Sequence, residues 1–283
     1  MTPQDIDLSG QVALVTGGGG GIGWASAYEL AQMGADVAIL DVIPERCSEA
    51  IAGIEGLGRK ALAFPANAME IDKVRDAVKQ TADTFGRFDI LVNNVGGVSR
   101  RDFTDLNENN RRRHIEMNLV SHLAATSEAL PTMIAGGRGG SIVFVTSIEA
   151  SRAAPGFSVY AACKAGLENF TRTLAVEVAD HKIRVNAMAP DYIETPGTRG
   201  CYTGSADKAN WVQPTAAMME SARRRIPLGR PGYQEECGKA VAFLCSPAAN
   251  YITGTVLRVD GGSWATSGWI RDADDKWILP PEF

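Results

Sequence analysis

Seven short apolar runs punctuate the chain: VALVT at Val12–Thr16, VAIL at 37–40, KALAF at 60–64, DILV at 89–92, SIVFVT at 141–146, IRVNAMA at 183–189 and TVLRV at 255–259. Their length and their content of β-branched residues predict strands. The gaps carry a helical period instead. In the first gap Ala25, Tyr28, Ala31 and Gln32 fall at helical spacing ahead of Gly34, a stop signal. The stretches EIDKVRDAVKQTADTFG (70–86) and ENFTRTLAVEVAD (168–180) read as helices in the same way. Parallel neighbours need a helix-sized crossover, so seven strands alternating with helices predict one α/β domain. Its architecture is a doubly wound, Rossmann-type, seven-stranded parallel sheet with helices on both faces. Such sheets bind ligands at the carboxyl ends of the strands, where the strand order reverses.

One segment breaks the rhythm. About thirty residues, from Thr195 to Pro227, separate the sixth strand from the next helix, and Trp211, Met218 and Met219 lie among them. A loop of that length in a compact domain is usually a lid or a binding loop, so residues 196–226 are expected to form a substrate loop. Residues 1–262 then make the α/β domain. Residues 263–283 make a tail rich in tryptophan (Trp264, Trp269, Trp277), which packs on a neighbouring subunit, covers the active-site mouth or orders on its own subunit.

Composition narrows the function classes. Of 283 residues 45% are hydrophobic, enough for one substantial core, and the net charge of −5 opposes a nucleic-acid footprint, which needs a basic face. The runs Arg111 to Arg113 and Arg223 to Arg225 read as solvated helical faces. No stretch approaches the ~20 apolar residues of a membrane span, and the N-terminus MTPQDIDLSG has no apolar signal core. Five cysteines without CxxC spacing fit a reduced, cytoplasmic setting. His114, His122 and His181 are scattered, and no metal site is expected.

The candidate chemistry starts at TGGGGGIG, residues 16–23, between the first strand and the first helix. A diphosphate prefers a helix N-terminus, where backbone N–H groups and the dipole face it, and a Cβ at closest approach would hold it off. Asp41 closes VAIL, 18 positions beyond Gly23, near the offset at which an acidic residue meets the adenosine ribose. Such a carboxylate repels a 2′-phosphate, and no Lys or Arg stands at Gly18 to Gly20, Val42 or Ile43, so NAD is expected over NADP. Farther on, Tyr160-Ala161-Ala162-Cys163-Lys164 is YxxxK, which puts phenol and ammonium on one helix face. An ordinary tyrosine, with a pKa near ~10, is a poor base at neutral pH. A neighbouring Lys⁺ is expected to favour the phenolate.

The spacing Thr16-Gly17, three residues, Gly21-Ile22-Gly23, together with Ser147 thirteen residues before Tyr160, resembles the classical short-chain dehydrogenases/reductases. Asn93-Asn94-Val95-Gly96 is similar to that family's NNAG, and Asn67 stands where the family has an acid touching adenine. Pro190, Ile193 and Thr195 resemble its PGxxxT segment, which binds the nicotinamide amide, with Asp191 replacing the glycine. Asp191 can point inward, favouring cationic NAD⁺, or outward to solvent. Pro227 to Arg230 and Val259 to Gly262 complete a resemblance over roughly residues 8–262.

The resemblance implies an NAD-dependent oxidoreductase interconverting a secondary alcohol and a ketone. It implies Tyr160 as acid/base, Ser147 polarising the reacting oxygen, Lys164 beside the phenol, and Asn118 holding a relay water. Gly17, Gly21, Ile22, Gly23, Asp41, Asn67, Asn93, Gly96, Pro190, Ile193 and Thr195, with Tyr160 and Lys164, are the expected coenzyme contacts. A homotetramer is implied as well. Gly97, Val98, Ile148, Glu149, Phe157, Tyr192, Trp211, Met218 and Met219 are expected to face an apolar or aromatic small molecule: a steroid, terpenoid or aryl alcohol. Arg100, Arg101 or Arg152 could instead hold a substrate carboxylate. Two alternatives stand beside this reading: an NADPH-dependent 3-oxoacyl thioester reductase, and a nucleotide sensor without catalysis.

Overall fold

Every residue of β1 (Val12–Thr16) is buried, and its side chains divide between two cores. Ala13 and Val15 join one cluster while Leu14 joins the other, as the period of two in a strand requires. The computed structural model describes residues 2–279; the first residue of the N-terminal segment and the last four of the tail lie outside them. After β1 come α1 (Gly21–Gln32), β2 (Asp36–Asp41), α2 (Pro44–Glu55), β3 (Ala61–Pro65), α3 (Ile71–Phe85) and β4 (Ile90–Asn93). Next are α4 (Glu108–Ile115), a π-helical turn (Glu116–Val120), α5 (Ser121–Gly136), β5 (Gly140–Val145), α6 (Ser158–Glu177) and β6 (Ile183–Pro190). The chain continues through β7 (Ile193–Glu194), α7 (Ala216–Arg225), β8 (Gly232–Tyr233), α8 (Gln234–Cys245), β9 (Val256–Val259), β10 (Ile270–Arg271) and β11 (Trp277–Ile278).

The seven expected strands form one parallel sheet in the order β3-β2-β1-β4-β5-β6-β9. Residues of α1, α2 and α8 build the core on one face; residues of α3, α5 and α6 build it on the other. This is the doubly wound fold. The order reverses between β1 and β4, so the carboxyl ends of those two strands open a crevice.

Two expectations change. The first helix begins at Gly21, inside the glycine run rather than after it, so Gly21 and Gly23 lie in its first turn. The segment expected as a substrate loop contains a helix of its own, α7, capped by the Thr215 hydroxyl accepting from the Met218 N–H. Its sequence AAMMESARRR lacks an apolar face, and only Ala222 is buried. Tertiary contacts hold it: the tail returns as the β10–β11 hairpin against α7. There Arg224 Nε donates to the Arg271 carbonyl at 2.8 Å, and Arg223 pairs with Asp275. The described part of the tail therefore packs on its own subunit. No helix among the described residues is long and apolar enough to cross a membrane.

Candidate active site

The crevice is a cleft of about 760 Å³. At its floor, α1 starts without any side-chain cap, because Gly20 stands at the N-cap position. The N–H groups of its first turn are thus left for a ligand, and an anionic group suits them best. Gly21, at φ +57°, makes the turn into the helix. Gly23 serves differently from expectation. It does not reach the cleft, and a Cβ there would sit 2.0 Å from the Gly17 carbonyl oxygen. It lets the helix close on the strand.

Asp41 ends β2 at the cleft wall. Its Oδ2 accepts from the Gly19 N–H at 2.9 Å and its Oδ1 from the Ile43 N–H at 3.0 Å. The carboxylate therefore ties the glycine loop to the start of α2. Asn67 lines the same end and accepts from the Met69 N–H at 3.0 Å. Gly17, Ile22, Gly96, Pro190, Ile193 and Thr195 also line the cleft.

Asn93 does not. It is fully buried and donates to the Thr126 hydroxyl at 3.0 Å. Its neighbour Asn94 lines the cleft instead, donating to the Thr16 and Gly17 carbonyls at 3.2 and 3.1 Å. In a strand successive side chains point to opposite sides, so of two adjacent asparagines only one can face the ligand.

Asn118 is buried behind the cleft wall. Its Oδ1 accepts from the Gly97 N–H, and its Nδ2 donates to the Gly97 and His114 carbonyls, each within 3.0 Å. The amide is a clamp on the 96–97 backbone. His122, which sequence reading left unassigned, is a second clamp, its Nε2 standing 2.7 Å from the Val95 carbonyl. A carbonyl only accepts, so Nε2 carries the hydrogen. Burial first, and Lys164 second, push the ring pKa well below the usual histidine value, so it stays neutral.

Ser147, Tyr160 and Lys164 meet in the cleft. Ser147 follows β5, its hydroxyl accepting from the Glu149 N–H at 3.2 Å. Tyr160 lies in the first turn of α6 and Lys164 one turn on, with Nζ 5.7 Å from the phenol ring centre. The expected electrostatics are not what this arrangement gives. Burial pushes the Tyr160 phenol up to about 12, the nearby Ser147 hydroxyl works against it, and Glu149 adds to it. Burial also brings the Lys164 ammonium down to about 8. Lys164 donates to the Val145 carbonyl at 2.9 Å. Desolvation penalises the charged form of both groups, and here it is the largest cause of both shifts.

Asp191 lines the cleft, and its Oδ1 lies 3.2 Å from Arg152 Nη2, which also binds Glu149 at 2.8 Å. Burial raises its pKa; the nearby Ser263 hydroxyl and the charge of Arg152 oppose that. Arg152 is thereby engaged by two carboxylates. Of the residues expected to face a substrate, Gly97, Val98 and Tyr192 line the cleft, while Ile148, Glu149, Phe157, Trp211, Met218 and Met219 do not. Ile148 is wholly in the core. Met117 and Arg46 line the cleft and were not anticipated. Among the described residues no cluster of His, Cys, Asp or Glu is arranged to hold a metal ion.

Residues 17–263 match a family model described as enoyl-(acyl carrier protein) reductase. The 3-oxoacyl-(acyl-carrier-protein) reductase of Thermotoga maritima is 37% identical over 90% of this chain and 98% of its own. Carveol dehydrogenase from Mycobacterium avium, solved in complex with NAD, superimposes with a TM-score of 0.82 at 28% identity, covering 91% of this chain and 99% of its own. A 7α-hydroxysteroid dehydrogenase, solved with NADH and 7-oxo glycochenodeoxycholic acid, gives a TM-score of 0.84 at 29% identity, covering 93% and 97%. A parallel sheet opening at its switch point on a capless helix, with Ser147, Tyr160 and Lys164 in the cleft, thus has relatives along nearly its whole length. The chain belongs to the classical short-chain dehydrogenases/reductases, a family of oxidoreductases.

Proposed function

We propose that the protein is an NAD-dependent dehydrogenase interconverting a secondary alcohol and a ketone on a small molecule. The observation that carries this reading is the convergence of Ser147, Tyr160, Lys164, Asp41 and the capless start of α1 on one cleft. A dinucleotide fits these residues. Its diphosphate has the N–H groups of α1's first turn, and its adenosine ribose has the Asp41 carboxylate. Gly17, Ile22 and Gly96 leave room for it, Asn67 offers an amide at the adenosine end, and Pro190, Ile193 and Thr195 flank the nicotinamide end.

Bound NAD⁺ supplies the hydride acceptor and a positive charge. The protein's own residues manage the proton. Tyr160 Oη holds it in the site as described, which is the form that donates to a ketone; in the oxidative direction the same oxygen takes the hydroxyl proton. Ser147 Oγ is placed to hydrogen-bond the reacting oxygen. Lys164, with its pKa near 8, exchanges protons around neutrality. Asn118 keeps the 96–97 wall in place and, by family resemblance, holds the relay water.

The substrate is proposed to be an apolar or aryl secondary alcohol resting on Val98, Met117 and Tyr192. Two solved relatives name such chemistry: carveol, a terpenoid secondary alcohol, and a 7-oxo bile acid, the ketone of a steroid secondary alcohol. The relative named a 3-oxoacyl reductase favours a second reading, an acyl thioester substrate; comparing turnover with NADH and NADPH separates the two. The reading also includes a cytoplasmic homotetramer without a nucleic-acid partner.

A panel of secondary alcohols with NAD⁺, followed by the absorbance of reduced nicotinamide, tests the proposal. Tyr160→Phe should bind NADH within a few-fold of wild type and lose at least a hundredfold in kcat, a proton-transfer group contributing about 10²- to 10⁴-fold. Turnover surviving in Tyr160→Phe would refute the mechanism, and binding without turnover on any alcohol would favour a sensor.

A further inference from the structure

The glycine loop has a cation beside it that comes from outside the loop and the two positions after Asp41. Arg46, in the first turn of α2, is only 9% exposed. Its Nη1 lies 3.1 Å from where a Cβ on Gly20 would be, and its own Cβ lies 2.9 Å from one on Gly19. The side chain therefore lies along the start of α1, next to Asp41. Its donors reach elsewhere: Nε to the Gly204 carbonyl and Nη2 to the Cys201 carbonyl, both at 2.8 Å.

Both carbonyls belong to the segment between β7 and α7. That segment leaves the nicotinamide end of the cleft at Thr195, whose Cβ would be 3.3 Å from a Cβ on Gly21. It turns back on itself, with Cys201 N–H donating to the Pro196 carbonyl at 2.8 Å and Val212 N–H to the Arg199 carbonyl at 2.9 Å. A second tie to α2 runs from the Ala206 N–H to Glu49 Oε2 at 3.3 Å, and Lys208 pairs with Glu235 of α8 at 2.8 Å. Pro196, Thr198 and Tyr202 line the cleft along this path. The segment is a strap crossing from the nicotinamide end to the adenosine end, and Arg46, lying beside Gly19 and Gly20, ties its far part to α2.

We propose that Arg46 latches this strap over the coenzyme, so that a bound dinucleotide leaves only after the Arg46 contacts to Cys201 and Gly204 break. The inference rests on the coenzyme reading above and adds a residue to it. Arginine suits the task because its planar fork meets two carbonyls at once while keeping its charge; a lysine ammonium is a single point. Hydrogen bonds from an ionised donor are also the stronger kind. With Nε and Nη2 occupied by the strap, Arg46 is a positioning residue and does not read the coenzyme's 2′ position.

Stopped-flow displacement tests this: protein loaded with NADH is mixed with excess NAD⁺, and the loss of NADH fluorescence gives the dissociation rate. Arg46→Ala should release NADH at least tenfold faster, with Arg46→Lys between it and wild type, and Glu49→Gln should show a smaller acceleration. The ratio of NADH to NADPH affinity should not move. Trypsin should cut the strap at Arg199 or Lys208 sooner in Arg46→Ala than in wild type, both loaded with NADH. A wild type that takes up no NADH removes the coenzyme reading and the latch together. A wild type that binds NADH, with Arg46→Ala and Arg46→Lys releasing it at the wild-type rate, removes the latch alone. A selective change in NADPH affinity would make Arg46 a phosphate ligand and would also overturn the proposal.

Discussion

Lys164 Nζ stands 5.7 Å from the centre of the Tyr160 ring and spends a hydrogen bond on the Val145 carbonyl. The pair is held by the first two turns of α6, so its spacing is set by the helix and not by attraction between the groups. Both are buried, and burial sets both pKa values. The site therefore stores electrostatic cost at the reacting end, as active sites commonly do.

That cost is measurable. Lys164 titrates near 8 in the folded protein, against an ordinary value of 10.5. Between those two values the unfolded chain binds more protons than the folded one, so this group's contribution makes stability rise with pH. Its penalty is complete below pH 8 and gone above about 10.5, and it amounts to roughly 3 kcal/mol. Lys164→Met removes the penalty but leaves the Val145 carbonyl without its donor, at a cost of about 1 kcal/mol. The variant should thus be inactive yet more stable at pH 7, by about 2 kcal/mol in urea unfolding. Buried thiols (Cys47, Cys237 and Cys245), with raised pKa values, pull wild-type stability the other way at alkaline pH. The informative quantity is the difference between variant and wild type, which should shrink from pH 8 to 10. A constant difference would place the Lys164 pKa elsewhere.

Asp41 offers a second test. Its two oxygens hold the Gly19 and Ile43 N–H groups, so the carboxylate is fixed in place at the cleft wall, where the proposed coenzyme would set its adenosine ribose. Like charges brought together cost several kcal/mol, and a 2′-phosphate would meet that cost here. Asp41→Asn keeps the shape and one acceptor while removing the charge. The ratio of kcat/KM for NAD⁺ to that for NADP⁺ should fall on the order of a hundredfold, equivalent to about 3 kcal/mol. An unchanged ratio would mean that Asp41 only shapes the loop.

The fold was legible because buried parallel strands read as apolar runs, and all seven occur in the sheet. Ser147, Tyr160 and Lys164 were legible through their spacing along one strand end and one helix. What failed depended on side-chain direction or on distant contacts. Nothing local distinguishes Asn93 from Asn94; only the pleat does. Trp211, Met218 and Met219 were assigned to the pocket by their apolarity, but the strap and α7 hold them away from it. Arg46 is not legible in the sequence because its partners are more than 150 residues away, at Cys201 and Gly204. The expected Tyr160 shift differs in sign from the one burial gives, because proximity to an ammonium is visible in a sequence and burial is not.

Asp191 settles an alternative that the sequence left open, and it gives the last prediction. The side chain lines the cleft and also meets Arg152, so it points inward, with a partner. Arg152 is shared with Glu149, leaving two carboxylates against one guanidinium at the end of the cleft where Ser147 and Tyr160 lie. That excess of negative charge should favour a cationic nicotinamide over its neutral reduced form. Asp191→Gly removes one carboxylate and leaves the Arg152–Glu149 pair neutral. At an effective dielectric near ~20, one unit charge at ~6 to 8 Å is worth about 2 to 3 kcal/mol before solvent and Arg152 screen it. Roughly 1 kcal/mol should survive, or about a fivefold change. The dissociation constant for NAD⁺ should therefore rise about fivefold relative to that for NADH, both measured by calorimetry at pH 8. Asp191→Asn should show the same change while keeping the side chain's volume. If the two affinities moved together in both variants, Asp191 would be shaping the cleft wall and not its charge.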